Sequence, residues 1–218
     1  MLTPQIGAQL RELLIARGVL IFKKANLDDD LQIRLASLMG AVRDEGQKGV
    51  FKITLDSKLN PQADVARISV IERHGKTGEH RTGFVRGLGF DQPGALATTV
   101  AHDSHNLMVM GNSEELMARA ARAVAEAQGG VAVATQEKLT LLPLPVAGLM
   151  SPELYEEVAK KSEAIGQALQ DAGCTLNYAF MTLSLLALVV LPELHISDKG
   201  FVRVGEEGFG FVGLFEGE

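Results

Sequence analysis

The chain has 218 residues, 46% of them hydrophobic and 22% charged, with a formal net charge of −6. That is ordinary globular composition, enough for one large domain or two small ones, and the negative charge disfavours general nucleic-acid binding. One cysteine, Cys174, excludes an intramolecular disulfide and any cysteine-built zinc or iron–sulfur centre, and suits a reducing cytoplasm.

Thr3-Pro4 opens a helix whose apolar face is Ile6, Leu10, Leu13 and Leu14, with Gly18 as its stop. No basic-then-apolar signal pattern precedes it. Val19–Phe22 reads as a buried strand, Asp28 caps a second helix carrying Leu31, Leu35, Leu38 and Met39, and Val50–Leu55 reads as a strand. Asp56–Asp64, with Asn60-Pro61, is a loop or linker. Charge also changes here: residues 1–64 carry nine basic against eight acidic side chains, and residues 65–218 carry twelve against nineteen.

Arg67–Glu72 favours a strand, Gly75–Gly78 a turn, and Arg81–Leu88 the returning hairpin partner. Ala95–Ala101 and Leu107–Met110 predict two short buried strands around a polar loop. Asn112 or Ser113 caps a helix bearing Leu116, Ala120 and Val124, which Gly129-Gly130 ends. Strands near Val131–Ala134 and Leu139–Leu142 follow. Ser151-Pro152 opens the longest helix, with Leu154, Val158, Ile165 and Leu169 on its face and Gly173 at its end. Met181–Leu188 predicts a buried helix, and Phe201–Val204 and Phe209–Phe215 strand-like tails. The longest apolar stretch, Ala179–Leu191, is shorter than the roughly 20 residues a membrane span needs, so no membrane partner is expected. The pattern predicts an α+β protein: a mixed β-sheet domain with flanking helices over residues 65–218, and a small N-terminal α/β appendage over 1–64. A cytoplasmic location is expected.

The densest polar group is His102-Asp103-Ser104-His105-Asn106, set between two apolar runs. Two imidazoles three residues apart, beside a carboxylate and a carboxamide, suit a metal or a polar ligand. His-x-x-His is common by chance, and a polar turn capping neighbouring strands is the commoner use of such residues. Arg67, Arg73, Lys76, Arg81 and Arg86, with His74 and His80, make a basic hairpin that reads as a solvated face, since interleaved aromatics are lacking. Gly87-Leu88-Gly89 lacks the third glycine of a dinucleotide fingerprint, that position being Gln92. Cys174 has no evident base partner. His195 reads as a surface or strand-edge residue, and the methionines as core filler.

Several stretches resemble the C-terminal domain of bacterial-type adenine deaminases, in order and at similar spacing, over about residues 65–204. They are Gly87–Phe90, Gly94–Asn106, Pro143–Ser151, Phe180–Ser184, Leu191–Leu194 and Asp198–Gly200. Arg73-His74-Gly75-Lys76 fits that family's opening strand and turn. Two expected prolines are replaced, one by Tyr178 after Asn177 and one by Val189, which alters backbone restraint more than chemistry. The resemblance implies hydrolysis of adenine to hypoxanthine and ammonia, with a divalent metal (Mn, Fe or Zn) in a TIM-type barrel activating the water. The barrel's His-x-His pair would precede the matched region. This chain's five histidines form no such pair, and the His-x-Glu with Cys-x-x-Cys of other zinc deaminases is also missing.

Residues 3–63 resemble the start of taurine-dioxygenase-like iron/oxoglutarate enzymes, through Ile6–Leu10, Gly18–Phe22 and Asn26–Asp30. That family's His-x-Asp does not occur in the chain. The chain therefore reads as two family fragments joined near Ala63–Ala66. Three functions stay open: an accessory or inactive C-terminal domain needing a separate barrel subunit, an autonomous metal-dependent adenine aminohydrolase, and a non-catalytic chimera. His102, Asp103 and His105 are the candidate catalytic residues. His102 and His105 are the candidate metal ligands, and Ser104 and Asn106 the candidate substrate contacts. Adenine or a related purine is the implied ligand, and a barrel subunit or a second copy the implied partner.

Overall fold

The computed structural model describes residues 64–176, 179–205 and 208–213, together with 3, 5, 6 and 9. The chain divides into two compact units, Met1–Gly49 and Val50–Glu218. In the first, Gln5, Ile6 and Gln9 are helical. The Thr3 hydroxyl accepts the Ile6 N–H at 3.3 Å, the cap that Thr3-Pro4 predicted. The other expectations for residues 1–63 lie outside the described residues.

The second unit is built on a six-stranded sheet. Its strands are β1 (Val65–Ile71), β2 (His80–Arg86), β3 (Gly94–Thr98), β4 (Leu107–Gly111), β5 (Gly130–Thr135) and β6 (Leu139–Pro143). The spatial order is β2-β1-β4-β3-β5-β6, and every described pairing is antiparallel. β3 is buried at every residue and β5 at all but the last. Layers on both faces explain this, and explain why these strands read as apolar runs rather than alternations.

Side-chain size distinguishes the two faces. One carries Ala95, Ala97, Ala132 and Ala134, and packs α1 (Glu114–Glu126) through Leu116, Met117, Ala120 and Val124. Those helical positions repeat at the spacing of one apolar face. Ser113 caps α1, its Oγ accepting the Leu116 N–H, and Glu114 and Glu115 suit the positive end of the helix dipole. The other face carries Ile68, Val70, Leu96, Met108, Met110, Val131 and Val133. It packs α2 (Tyr155–Asp171), α3 (Ala179–Ser184) and a 3₁₀ turn at Leu185–Ala187. A second, three-stranded antiparallel sheet adds β7 (Glu193–Ser197), β8 (Gly200–Gly205) and β9 (Gly208–Val212). Phe201 of β8 lies over Gly83 of β2, where a Cβ would come within 2.5 Å of the ring.

The α+β class is the one expected from the sequence, with four local corrections. α2 begins at Tyr155, not Pro152, and Leu154 stands exposed at its N-cap. Ser151 instead accepts the Glu153 N–H, turning the chain before the helix starts. The Met181–Leu188 helix is shorter and displaced, ending at Ser184 and tightening to 3₁₀, with Met181 exposed. β7 was not anticipated. His195 lies on it at the sheet's edge but is buried, its two ring nitrogens each 3.2 Å from a carbonyl, of Leu186 and Pro192. No described helix is long and apolar enough to cross a membrane.

Candidate functional site

The antiparallel order brings three connections to one end of the large sheet: residues 72–79 after β1, 99–106 after β3, and 144–150 after β6. Each is held by polar contacts to the main chain. Glu72 is the anchor of the first. Its buried carboxylate accepts N–H bonds from His74, Lys76, Thr77 and Gly78. The Thr77 and Gly78 N–H groups, helped by His74 and Lys76 against the opposing effect of burial, hold its pKa at about 2 instead of 4.5. The hairpin turn therefore closes around a fixed negative charge.

Arg73 joins all three connections. Its Nε donates to the His105 carbonyl at 2.6 Å and its Nη2 to the Ala147 carbonyl at 2.8 Å. Gly148 makes room for it: a Cβ there would stand 2.6 Å from Nη2, and its φ of +76° already favours glycine. Thr99 ties the last two connections, its buried hydroxyl accepting the Gly130 N–H and donating to the Gly148 carbonyl at 2.6 Å. The basic hairpin is thus not uniformly solvated, because Arg73 is half-buried and structural. Arg67 pairs with Glu114 of α1.

Within the 102–106 loop the five predicted residues part company. His102 and His105 are brought together, ring centroids 5.3 Å apart in an edge-to-face arrangement. His105 is half-buried in the left-handed region, φ +50°, and its Nδ1 is buried without a hydrogen-bond partner. Burial, followed by the positive charges of His102 and Arg73, pushes its pKa below the usual 6.5. Asp103 and Ser104 are exposed. The Ser104 carbonyl lies 2.8 Å from His74 Nε2, which pins the loop to the hairpin. Asn106 is buried. Its Nδ2 donates to Asp198 Oδ1 at 3.0 Å, and its Oδ1 accepts the Arg73 N–H at 3.4 Å. Asp198 comes from the turn between β7 and β8, so the small sheet braces the loop as well.

His102 and His105 do not make a metal site by themselves. A catalytic zinc takes three protein ligands, and among the described residues no three His, Cys, Asp or Glu side chains converge. The arrangement is suited to presenting imidazole, hydroxyl and carboxylate groups on a rigid backbone. Sequence reasoning missed the roles of Glu72, Gly148 and Asp198, and assigned Arg73 to a solvated face. Asp198-Lys199-Gly200 was noticed only through the family resemblance.

These features define a class: an α+β domain that gathers braced polar loops at one end of an antiparallel sheet. Residues 45–207 match the family model of the adenine deaminase C-terminal domain, and the chain belongs to that family. It is 69% identical over 157 residues to an adenine deaminase of Rubrobacter xylanophilus, covering 72% of this chain and 26% of that protein. It is 43% identical over 185 residues to one from Roseobacter denitrificans, covering 83% and 30%. With one from Moorella thermoacetica the identity is 51% over 142 residues, covering 65% and 24%. The chain thus matches between about a quarter and a third of these relatives' length.

Proposed function

We propose that this domain serves adenine deamination, adenine plus water giving hypoxanthine plus ammonia, as a module that does not act alone. The groups that hold a water-activating metal lie outside these 218 residues, on a barrel with which the domain associates. This domain's part is to present the 102–106 loop to the purine. His102, Asp103 and Ser104 offer donors and acceptors for the ring edge. His105 backs His102 from a half-buried position, and Asn106 fixes the loop from below through Asp198. The observation that carries this reading is the His102–His105 pair, held on a backbone clamped by Arg73 and His74, with no third metal-binding side chain converging among the described residues. The residues ahead of the family match, 1–44, contain no His-x-Asp and act here as a non-catalytic appendage.

The test is adenine-to-hypoxanthine conversion by the purified chain, metal-free and loaded with manganese, iron or zinc, then with a family barrel added in trans. We expect no turnover by the chain alone. We also expect a barrel activity that rises on adding the chain and falls back with His102→Ala. Turnover by the chain alone that His102→Ala removes would establish autonomous catalysis instead. No association and no effect in trans would favour the inactive chimera.

A further inference from the structure

At the opposite end of the large sheet from the 102–106 loop, a cavity of about 330 Å³ opens between α2 and the β5–β6 hairpin. Val133, Ala168 and Pro93 supply its apolar walls, and Gln92, Gln136 and Thr140 supply neutral polar groups. We infer that this cavity is a binding site for a neutral, planar, nucleobase-sized heterocycle.

The Thr140 hydroxyl is the first argument. Thr140 faces Val133 across the β5–β6 ladder and is only 8% exposed, yet its Oγ1 is buried with no hydrogen-bond partner. A buried hydroxyl left unpaired is destabilising, and few survive in native proteins without a ligand or water to satisfy them. The other cavity-lining hydroxyl, Thr135, is already occupied by the main chain of Lys138, to which it both donates and from which it accepts. Thr140 is therefore the lining residue whose hydroxyl is left unpaired.

Chemistry and charge set the ligand class. A carboxamide both donates and accepts, so it pairs with the mixed edge of an amide-like heterocycle and contributes nothing specific to an alkyl chain. Among the described residues neither Gln92 nor Gln136 has a side-chain hydrogen bond. The charged lining is Lys138 against Glu137 and Asp171, a net negative rim. The C-terminal end of α2 lies here too, with no basic residue in its last turn. Both features repel an anion, so a nucleotide or free phosphate is disfavoured. Among the described residues no three His, Cys, Asp or Glu side chains converge at this rim. The volume lies at the small end of the range for ligand pockets, which suits one flat ring system between Pro93 and the α2 face.

The test is calorimetric titration of the full chain with adenine and with hypoxanthine, using adenosine monophosphate as the anionic control. We expect saturable binding of at least one base and much weaker binding of the monophosphate. Binding should weaken about tenfold in Thr140→Val, and also in the exposed rim variant Gln92→Ala. The titrations are run in the His102→Ala background, which removes the loop's own purine contact, so the binding that persists there and responds to Thr140→Val and Gln92→Ala belongs to this cavity. Without ligand, Thr140→Val should melt no lower than wild type, because it replaces an unpaired hydroxyl with a methyl group of the same shape. Four results would overturn the inference: no saturable binding of either base at millimolar concentration in that background, binding there that Thr140→Val and Gln92→Ala leave unaltered, monophosphate binding as tight as that of the base, or a clearly lower melting temperature for Thr140→Val.

Discussion

The Arg73 side chain donates from Nε to the main-chain carbonyl of His105 at 2.6 Å, tying the first connection of the sheet end to the loop that carries both loop histidines. A second bond, to the Ala147 carbonyl, brings in the third connection. Lysine has a point charge where arginine has a fork, and cannot make both bonds in this geometry. Arg73→Lys should lower stability by about 1.5–3 kcal/mol, the usual value of one hydrogen bond to a charged group. Urea denaturation measures the loss. Hydrogen exchange should localise it to residues 99–106 and 144–150, and unchanged protection there would contradict the clamp.

Gly148→Ala should act through the same clamp from the opposite side. The added methyl group would meet the Arg73 guanidinium and require an alanine at φ +76°. A loss of about 1–3 kcal/mol is expected. The double variant Arg73→Ala, Gly148→Ala should lose less than the sum of the two single changes. Additive losses would mean that the residues act independently.

Glu72 makes the hairpin turn acid-sensitive. Its folded pKa of about 2 lies below its ordinary value of 4.5, so the protein binds this proton more weakly when folded. The stability it contributes is complete above pH 4.5 and is lost as pH falls from there toward 2. Glu72→Gln should destabilise the protein at pH 7 and flatten the dependence of stability on pH across that window. A variant as steep as wild type between pH 4.5 and 2 would place the acid-sensitive group elsewhere.

His105 has the same sign of dependence in a higher window. Its folded pKa is lowered, so protonation favours the unfolded chain, and its contribution is full above about pH 6.5 and declines below it. Imidazole proton resonances should show His105 titrating below 6.5. A midpoint at or above that value would contradict the burial and charge environment described for its ring.

Ser113→Ala removes the cap of α1 and should cost about 1 kcal/mol by thermal or urea unfolding. A neutral substitution would show that packing of α1 on the alanine face makes the cap redundant.

Where structure follows from short-range patterns, the sequence was legible. Ser113 followed by Leu116, Ala120 and Val124 specifies α1 through a cap and a periodic face, and both form. The strands around the 102–106 loop were legible because Ala95–Ala101 and Leu107–Met110 are apolar runs beside a polar turn, although the first strand ends at Thr98 and residues 99–101 belong to the connection. Ser151-Pro152 misled because the same residues begin a helix or turn the chain ahead of one, and local sequence does not choose between them. β7 was missed for a different reason. His195 looks like a surface residue until carbonyls from Leu186 and Pro192 are placed at its ring, and only the tertiary fold places them. The candidate site divides in the same way. The 102–106 cluster stands out as a string of polar residues. Arg73, Gly148 and Asp198 come from remote parts of the chain, and only the sheet order brings them to it.

That order also says something about how the protein assembles. β4 pairs with β1 on one side and with β3 on the other. During synthesis β1 and β2 can meet as a hairpin, but β3, which emerges next, has no neighbour in that hairpin. It must wait for Leu107–Gly111 to be made, and only then can one strand join the two halves of the sheet. The chain up to the 102–106 loop thus leaves the ribosome with apolar strand edges open, and β4, short and nearly all apolar, closes two of them at once.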